Sequence, residues 1–309
     1  MYPTDKRPAR LRCFCVCLAL CACLAGCTGS GGAGGGTRDA TPAVLVPEAP
    51  GTETLGTGGV TIDISNRGEG YIMVKYEGDN PRIKVQIARA EQDPYTYDLA
   101  PGGYETYPLS EGDGAYAVSV FENLQGTEYA LLFRGEFDVR LNDPFRPFLY
   151  PNQFVRFSAD DKAIAATQEI AAAADDDLGA VELIYSYVTS RLSYDYDKAG
   201  AVLAGGMSGY LPDIDEAFET KKGICFDYAA LMTAMLRAQG IPSQLVIGYA
   251  GEVYHAWINV YIENVGWIGR AIYFDGTDWT LMDPTFASTS GSAKTFTGDG
   301  TDYHKLFVY

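Results

Sequence analysis

The stretch Gly223-Ile-Cys-Phe-Asp-Tyr-Ala-Ala-Leu231 opens an apolar helical pattern that continues to Arg237-Ala-Gln-Gly-Ile-Pro242. Apolar side chains follow Cys225 at the spacing of one helix face, which predicts a helix with a buried side. Gly240 can adopt the left-handed conformation that ends a helix, and Pro242 prevents its continuation. The sequence therefore predicts a buried helix that begins at Cys225 and holds this cysteine in place.

Cys225 occupies a position that favours thiolate chemistry. Unpaired backbone N–H groups and the macrodipole stabilise negative charge at the N-terminus of a helix. A nearby imidazole could then form an ion pair with the thiolate. Taken alone, Cys225 is also compatible with an inert buried thiol, because free cysteine is often buried as a small apolar residue.

Two further blocks supply the partners that a reactive thiol needs. His255 begins an alternating strand, His255-Ala-Trp-Ile-Asn-Val-Tyr-Ile262, and Asp283 follows in Leu281-Met-Asp-Pro-Thr285. A sheet packed on the helix can bring His255 to Cys225, where it would accept the thiol proton and later return it to a leaving group. Asp283 would accept the other imidazole N–H and fix the tautomer. The second histidine, His304, lies among polar residues and is predicted to be on the surface.

The ordered set of Gly-x-Cys, Arg-x-x-Gly-Ile-Pro, His-Ala-Trp and Asp-Pro-Thr resembles the core of the transglutaminase-like, papain-related superfamily. The resemblance implies an α+β, papain-like fold in which helices pack on an antiparallel sheet. It also implies thiol acyl transfer by Cys225, His255 and Asp283, with attack on an amide, a thioester intermediate, and release to water or an amine. It implies neither a cofactor nor a metal.

The oxyanion donor is less well specified. The backbone N–H of Cys225 is one natural donor, and the family often adds an aromatic ring donor, for which Tyr194 is the best match by position. Packing within an extended stretch is the alternative role for Tyr194. The interval between His255 and Asp283 departs from the family in its length and contains Ala271-Ile-Tyr-Phe274, which predicts an extra strand or an elongated hairpin.

The first 27 residues resemble a bacterial lipoprotein signal. Four basic residues precede a short apolar run at 13–24 that cannot span a bilayer. Leu24-Ala-Gly-Cys27 resembles a lipobox, which implies lipidation of Cys27; an ordinary secretory signal is the alternative. We predict a signal peptide over 1–26, a Gly/Pro-rich tether over 27–59, and a lipid-anchored protein at the outer face of the cytoplasmic membrane, either extracellular or periplasmic.

The cysteine positions indicate whether disulfides can form, and the net charge limits the classes of binding partner. Of the seven cysteines, only Cys225 lies beyond residue 27, so a mature monomer would contain no disulfide. The formal net charge of −17 at pH 7 argues against nucleic acid as a partner and against a basic membrane-binding patch. The oligomeric state is not predicted by these features.

Residues 60–157 are predicted to form an antiparallel β-sandwich-like domain. Alternating apolar and polar runs, bounded by turn residues, begin at Val60, Tyr71, Ile83, Tyr116 and Ala130. The many tyrosines of this region could form a glycan- or protein-binding face, or could simply be strand residues of a sandwich. A second, transglutaminase-like domain is predicted over 158–309.

From Ser158 the apolar period becomes helical. Ser158 or Asp160 is predicted to cap a helix that reaches Ile170. Three aspartates at 175–177 are predicted to end it and to supply the cap of a second helix over 178–192. We also predict an extended segment over 194–197, a Gly-rich loop over 200–212 and a short helical turn over 214–218.

The sequence thus predicts a surface-anchored cysteine enzyme that hydrolyses or transamidates an amide in a protein or cell-wall peptide. Two alternatives remain open. One is a non-catalytic transglutaminase-like binding module, and the other is a structural cell-surface protein whose β domain binds the partner. The presence of all three residues Cys225, His255 and Asp283 favours the enzyme, since family members that lose the chemistry usually lose a member of this set.

Overall fold

Two four-stranded antiparallel sheets form the N-terminal half of the protein in the computed structural model, which describes residues 36–207, 209–268, 272–274, 279–281 and 303–309. In chain order the strands are β1 (Thr54–Thr57), β2 (Val60–Asp63), β3 (Tyr71–Tyr76), β4 (Ile83–Arg89), β5 (Tyr95–Leu99), β6 (Tyr104–Pro108), β7 (Gly114–Gln125) and β8 (Glu128–Val139). The sheet orders are β1-β2-β3-β6 and β5-β4-β7-β8. Alternate side chains of both sheets, such as Ile62 and Val118, are buried in one core, as expected for a sandwich.

The five predicted runs correspond to β2, β3, β4, β7 and β8. The prediction omitted β1, β5 and β6, which are short. Strand β5 does alternate, with Tyr95, Tyr97 and Leu99 buried between exposed residues. Its polar Thr and Asp and the nearby Pro and Gly residues masked this period in the sequence.

Most tyrosines of the sandwich serve packing. Six tyrosines of this region are buried, namely Tyr71, Tyr76, Tyr95, Tyr97, Tyr107 and Tyr116. The ring of Tyr97 contacts Tyr107 of the facing sheet and also Phe154 and Tyr309. These side chains are therefore core residues, and the interpretation as strand residues of a sandwich is correct for them.

Five helices follow the sandwich in the described part of the chain: α1 (Lys162–Ile170), α2 (Asp177–Arg191), α3 (Tyr196–Leu203), α4 (Ile214–Thr220) and α5 (Cys225–Ala238). Helices α1, α2, α4 and α5 confirm the predicted ones. The carboxylate of Asp176 caps α2 by accepting the N–H of Gly179 at 2.8 Å, as the aspartate run predicted.

Helix α3 contradicts the second half of the predicted extended segment at 194–197 and the start of the predicted loop at 200–212, whereas Tyr194 is extended, as predicted. The carboxylate of Asp195 accepts the N–H of Lys198 at 2.9 Å and so caps the first turn of α3. Ala199 and Ala201 then favour the helix, which ends before Gly205, a residue with a φ of 75°. The cap outweighed the glycine content on which the loop prediction was based.

Helix α5 lies at the centre of the C-terminal half. It packs on one side against α1, α2 and α4, and on the other against β11 and β12. The antiparallel sheet has the order β13-β12-β11-β16, with β11 (Ser243–Ala250), β12 (Val253–Ile262), β13 (Gly266–Ile268) and β16 (Tyr303–Val308). Two smaller pairs are β9 (Ser193–Tyr194) with β10 (Lys222–Gly223), and β14 (Ile272–Phe274) with β15 (Trp279–Leu281). This arrangement of helices and antiparallel sheets confirms the predicted fold class.

Arg237 connects the end of α5 to both halves of the protein. Its fully buried guanidinium donates to the carbonyl oxygens of Ser243 at 3.0 Å, Tyr150 at 2.6 Å and Tyr309 at 2.8 Å. Burial lowers the pKa of Arg237 to about 9, so the group remains charged at neutral pH. Arg237 therefore joins the segment after the sandwich to the last strand of the C-terminal sheet.

The two halves share one continuous cluster of buried side chains, and Gly35–Tyr309 is a single compact unit. The predicted boundary between residues 157 and 158 stays a prediction.

Residues 36–57 differ from the predicted free tether because they are bound to the body of the protein. Arg38 donates to the carboxylate of Asp177 at 2.7 Å and to the side-chain oxygen of Gln239 at 2.8 Å. The N–H of Ala43 donates to the carbonyl of Ala238 at 2.7 Å, at the end of α5. A Gly/Pro-rich composition did not reveal these anchors, since they depend on partners more than a hundred residues away. Within the described residues we find no helix with both the length and the apolar character needed to cross a membrane.

Candidate active site

The helix that carries Cys225 is fixed at both ends. At its start, the carboxylate of Asp227 accepts the N–H of Ile224 at 2.8 Å. At its end, Gly240 has a φ of 74°, and the N–H of Ile241 donates to the carbonyl of Leu236 at 3.0 Å, as in a Schellman motif. Residues 227–238 are buried, whereas Cys225 is half-buried. The rigid helix therefore presents the sulfur at the point where the core meets solvent.

The pair β9–β10 brings Tyr194 to the turn at 223–224 that leads into Cys225. Tyr194 lies opposite Gly223 in this parallel pair, and the N–H of Asp195 donates to the carbonyl of Gly223 at 2.9 Å. Burial, followed by the negative charge of Cys225, raises the pKa of Tyr194 to about 12. Its phenol is therefore neutral at physiological pH and able to donate a hydrogen bond close to Cys225.

His255 lies near the start of β12, the strand that packs against α5. Its side chain is buried, at 5% exposure, and its ring lies beside both Trp257 and Tyr303, each with a centroid 6.4 Å away. Its cross-strand partner Gly248 has no room for a side chain, since a Cβ there would lie 2.1 Å from the carbonyl oxygen of His304. His304 itself is exposed, which confirms its prediction as a surface residue.

Two predicted site residues, Asp283 and Cys27, lie outside the described residues. Between His255 and Asp283 the chain forms the hairpin of β14 and β15. This pair confirms the predicted extra strand at Ala271-Ile-Tyr-Phe274.

Two aromatic pairs lie beside the site, and the sequence analysis did not identify their most exposed members, Tyr196 and Tyr254. Tyr196, 73% exposed, contacts Tyr194 with ring centroids 5.1 Å apart. Tyr254, 59% exposed, contacts Tyr249 across the β11–β12 hairpin at 5.6 Å. Burial, then Tyr249 and Cys225, raise the pKa of Tyr254. The signal that could have found Tyr254 is its position next to His255, with Tyr249 at the matching place before the turn.

Gly223→Ala is expected to lower the free energy of unfolding by about 1–3 kcal/mol, as overpacking does in a tight core. A Cβ at Gly223 would lie 2.6 Å from the Cβ of Asp227. The matched control is Gly200→Ala in α3, where a Cβ would meet nothing within 4 Å and helix propensity favours alanine by up to about 1 kcal/mol. Urea denaturation of both variants checks this, and equal midpoints for Gly223→Ala and the wild type would contradict it.

The site therefore offers the thiol of Cys225 and, close to it, the neutral phenol of Tyr194. The strand that packs on the same helix carries the imidazole of His255. Within the ranges the structure describes, no three His, Cys, Asp or Glu side chains are grouped as metal ligands.

Part of the chain is similar to known proteins. The family model described as the transglutaminase-like superfamily matches residues 164–269. The chain is 33% identical over 97 residues to UPF0252 protein MJ1282 of Methanocaldococcus jannaschii, covering 29% of this chain and 28% of that protein. It is 34% identical over 85 residues to the protein-glutamine gamma-glutamyltransferase of Pseudomonas aeruginosa, covering 23% of this chain and 12% of that protein. The chain thus spans less than a third of the length of these curated relatives.

A solved structure of a candidate cysteine protease from Cytophaga hutchinsonii is also similar, with 15% identity and a TM-score of 0.38 over 84% of this chain and 74% of that chain. The matched stretch 164–269 contains Tyr194, Cys225 and His255. The likeness to the transglutaminase-like superfamily is thus carried by this part of the chain.

Proposed function

We propose that the protein is a surface-anchored cysteine acyl-transfer enzyme that attacks an amide in a protein or cell-wall peptide. Cys225 is the nucleophile, His255 the general base and acid, and Asp283 the residue that orients His255. The anchor is a lipid on Cys27, and the location is the outer face of the cytoplasmic membrane.

The proposed reaction has two halves. His255 accepts the proton of Cys225, the sulfur bonds to the amide carbonyl, and the C–N bond breaks as His255 gives the proton to the leaving amine. Water or a second amine then attacks the thioester and releases the thiol. The N–H of Cys225 and the phenol of Tyr194 would donate to the oxyanion in both halves.

The observation that carries the proposal is the half-buried thiol at the first position of a fully buried helix that packs on the strand of His255. A helix N-terminus favours the thiolate, and the buried helix prevents the sulfur from moving away. The neutral phenol of Tyr194, opposite Gly223, supports an oxyanion site on the same side. The binding-module and structural-protein alternatives give no reason for this combination.

The test is the pH dependence of Cys225 alkylation by iodoacetamide, followed by mass spectrometry. It uses a soluble form that begins at Thr28 and so retains the compact unit Gly35–Tyr309. We expect the rate to be on its plateau already at about pH 6–7 and expect His255→Ala to abolish this low-pH reactivity. His304→Ala, which removes an exposed histidine of the same sheet, is the matched control and should leave the profile unchanged.

A wild-type rate that keeps rising through about pH 8.5, the value of an ordinary thiol, would contradict the thiolate–imidazolium pair. Labelling only in denaturant would also contradict it in this state of the protein. Either result would favour the binding module.

A further inference from the structure

A buried polar cluster lies next to the turn at 223–224 that leads into Cys225, and the proposed reaction does not use it. Asp227, whose side chain is fully buried, accepts the O–H of Tyr210 and receives the ammonium of Lys198 at 3.4 Å. Lys198 also donates to the phenol oxygen of Tyr210 at 3.0 Å. Burying a charge is unfavourable unless it is paired and hydrogen-bonded. The contacts with Lys198 and Tyr210 provide this pairing and hydrogen bonding for Asp227.

The cluster joins three separate segments. Lys198 belongs to α3, Tyr210 to the loop before α4, and Asp227 to the first turn of α5. Lys198 reaches α4 as well, where its ammonium lies 3.5 Å from the carboxylate of Glu216. The segment 196–210, which carries the exposed Tyr196, is therefore fastened to the helix of the nucleophile.

Asp227 also controls the peptide that leads into Cys225. The same carboxylate oxygen that faces Lys198 accepts the N–H of Ile224 at 2.8 Å. Gly223 leaves no space for the turn to shift, because its α-carbon packs directly against the side chain of Asp227. The direction of the Cys225 side chain and of its N–H thus depends on where Asp227 is held.

A carboxylate two residues from the thiolate would oppose the negative sulfur unless its own charge were balanced. Lys198 supplies that balance. Burial lowers the pKa of Lys198, but the hydrogen bond to Tyr210 and the charge of Asp227 outweigh burial and raise it overall, so Lys198 stays cationic.

We propose that Asp227, Lys198 and Tyr210 form a charge-balanced clamp that positions the nucleophile: Asp227 fixes the turn of Cys225, and Lys198 offsets its charge so that the thiolate is not disfavoured. The three are positioning residues, and their effect on reactivity rests on the proposed function of Cys225.

Other titratable groups also surround the thiol. The groups near Cys225 are Tyr194 on β9, Asp227 and Tyr228 on α5, and Tyr254 on β12, the strand that also carries His255. Glu216 of α4 reaches the cluster through Lys198. The raised pKa values of Tyr194 and Tyr254 keep both phenols neutral in the tested range. Asp227, whose side chain is fully buried, is therefore the negative charge that Lys198 balances, whereas Glu216 is exposed and screened by solvent.

The first test compares alkylation profiles of Lys198→Met and Lys222→Met. Lys222 lies three residues before Cys225 but is exposed, so Lys222→Met removes the same charge without touching the clamp. We expect Lys198→Met to shift the midpoint upward by about one pH unit, which is about a tenfold loss of rate on the low-pH side. Lys222→Met should change the rate less than about twofold, because solvent screens an exposed charge.

The double variant Lys198→Met/Asp227→Asn separates charge balance from simple structural damage. Removing the unbalanced charge should return the low-pH rate to within about threefold of the wild type, a non-additive rescue. A double variant as slow as Lys198→Met, or a Lys198→Met profile equal to that of Lys222→Met, would overturn the charge-balancing role.

A second measurement does not depend on reactive Cys225. Amide hydrogen exchange in α3 and around Tyr210 should be at least about tenfold faster in Tyr210→Phe than in Lys222→Met, because the clamp holds this segment. Unchanged exchange in Tyr210→Phe would refute the clamp even if Cys225 proves catalytic. Faster exchange together with an ordinary thiol profile in the wild type would instead refute the proposed function alone.

Discussion

Replacing Cys225 with alanine is expected to abolish amide turnover, with a loss of at least about 10³-fold in kcat, since removal of a covalent nucleophile leaves only binding and oxyanion stabilisation. Water cannot take the place of the sulfur, because the thiol alone can form the thioester that divides the reaction into two steps. The measurement is cleavage or amine incorporation across a peptide library, followed by mass spectrometry with the soluble form that begins at Thr28.

The free energy of unfolding of Cys225→Ala is the control for the expected loss of turnover. Cys225 is half-buried and stands at the first position of α5, so its truncation should change the free energy of unfolding by no more than about 1 kcal/mol. Loss of turnover with an unchanged urea midpoint would assign the effect to chemistry. Turnover that persists in Cys225→Ala would contradict the assignment of the nucleophile, and retained peptide binding without turnover in the wild type would support the binding module.

Replacing Arg237 with methionine is expected to be the most destabilising single change, at about 3–5 kcal/mol, because it breaks a buried hydrogen-bond network and leaves its acceptors unsatisfied. Three carbonyl oxygens, those of Tyr150, Ser243 and Tyr309, would lose their donor inside the core, and each unsatisfied buried acceptor costs about 1–3 kcal/mol. Arg237→Lys should also be destabilising, because an ammonium cannot reproduce the planar fork of the guanidinium.

The matched control is Arg134→Met on β8. Arg134 pairs with Glu136 at 3.2 Å, and the exposed fractions of the two side chains are 54% and 72%, so this exposed pair should contribute no more than about 1 kcal/mol. Urea denaturation of the three variants checks the order. A midpoint for Arg237→Met equal to that of Arg134→Met would show that the three hydrogen bonds are replaced on mutation.

The sequence correctly predicted those helix ends and strands that depend on residues close together in the chain. The start of α5 at Cys225 and its end at Gly240 follow from residues within one turn of each end, and so does the cap of α2 at Asp176. The alternation of β12 placed His255 at the start of a strand. These elements could be predicted because their hydrogen bonds join residues only a few positions apart.

Other features of the site depend on partners that lie far away in the sequence. The loop prediction for 200–212 missed α3, and nothing in the local pattern paired β16 with β11, more than fifty residues before it. An alternating strand shows which face is buried but does not identify its neighbour. The exposed Tyr249 and Tyr254 likewise became site candidates only once the hairpin had set them side by side.

The sequence by itself therefore determined the helix that begins at Cys225 and the strand that carries His255, because each rests on short-range periodicity and capping. Only the tertiary structure decided that Tyr194 lies opposite Gly223 and that Lys198 and Tyr210 contact Asp227 next to the turn before Cys225. It also decided that Arg38 hydrogen-bonds to Gln239 and Arg237 to Tyr150. The physical reason is that these contacts are made by polar side chains whose partners come together only when the core around α5 is packed, and no local pattern in the chain specifies such a partner.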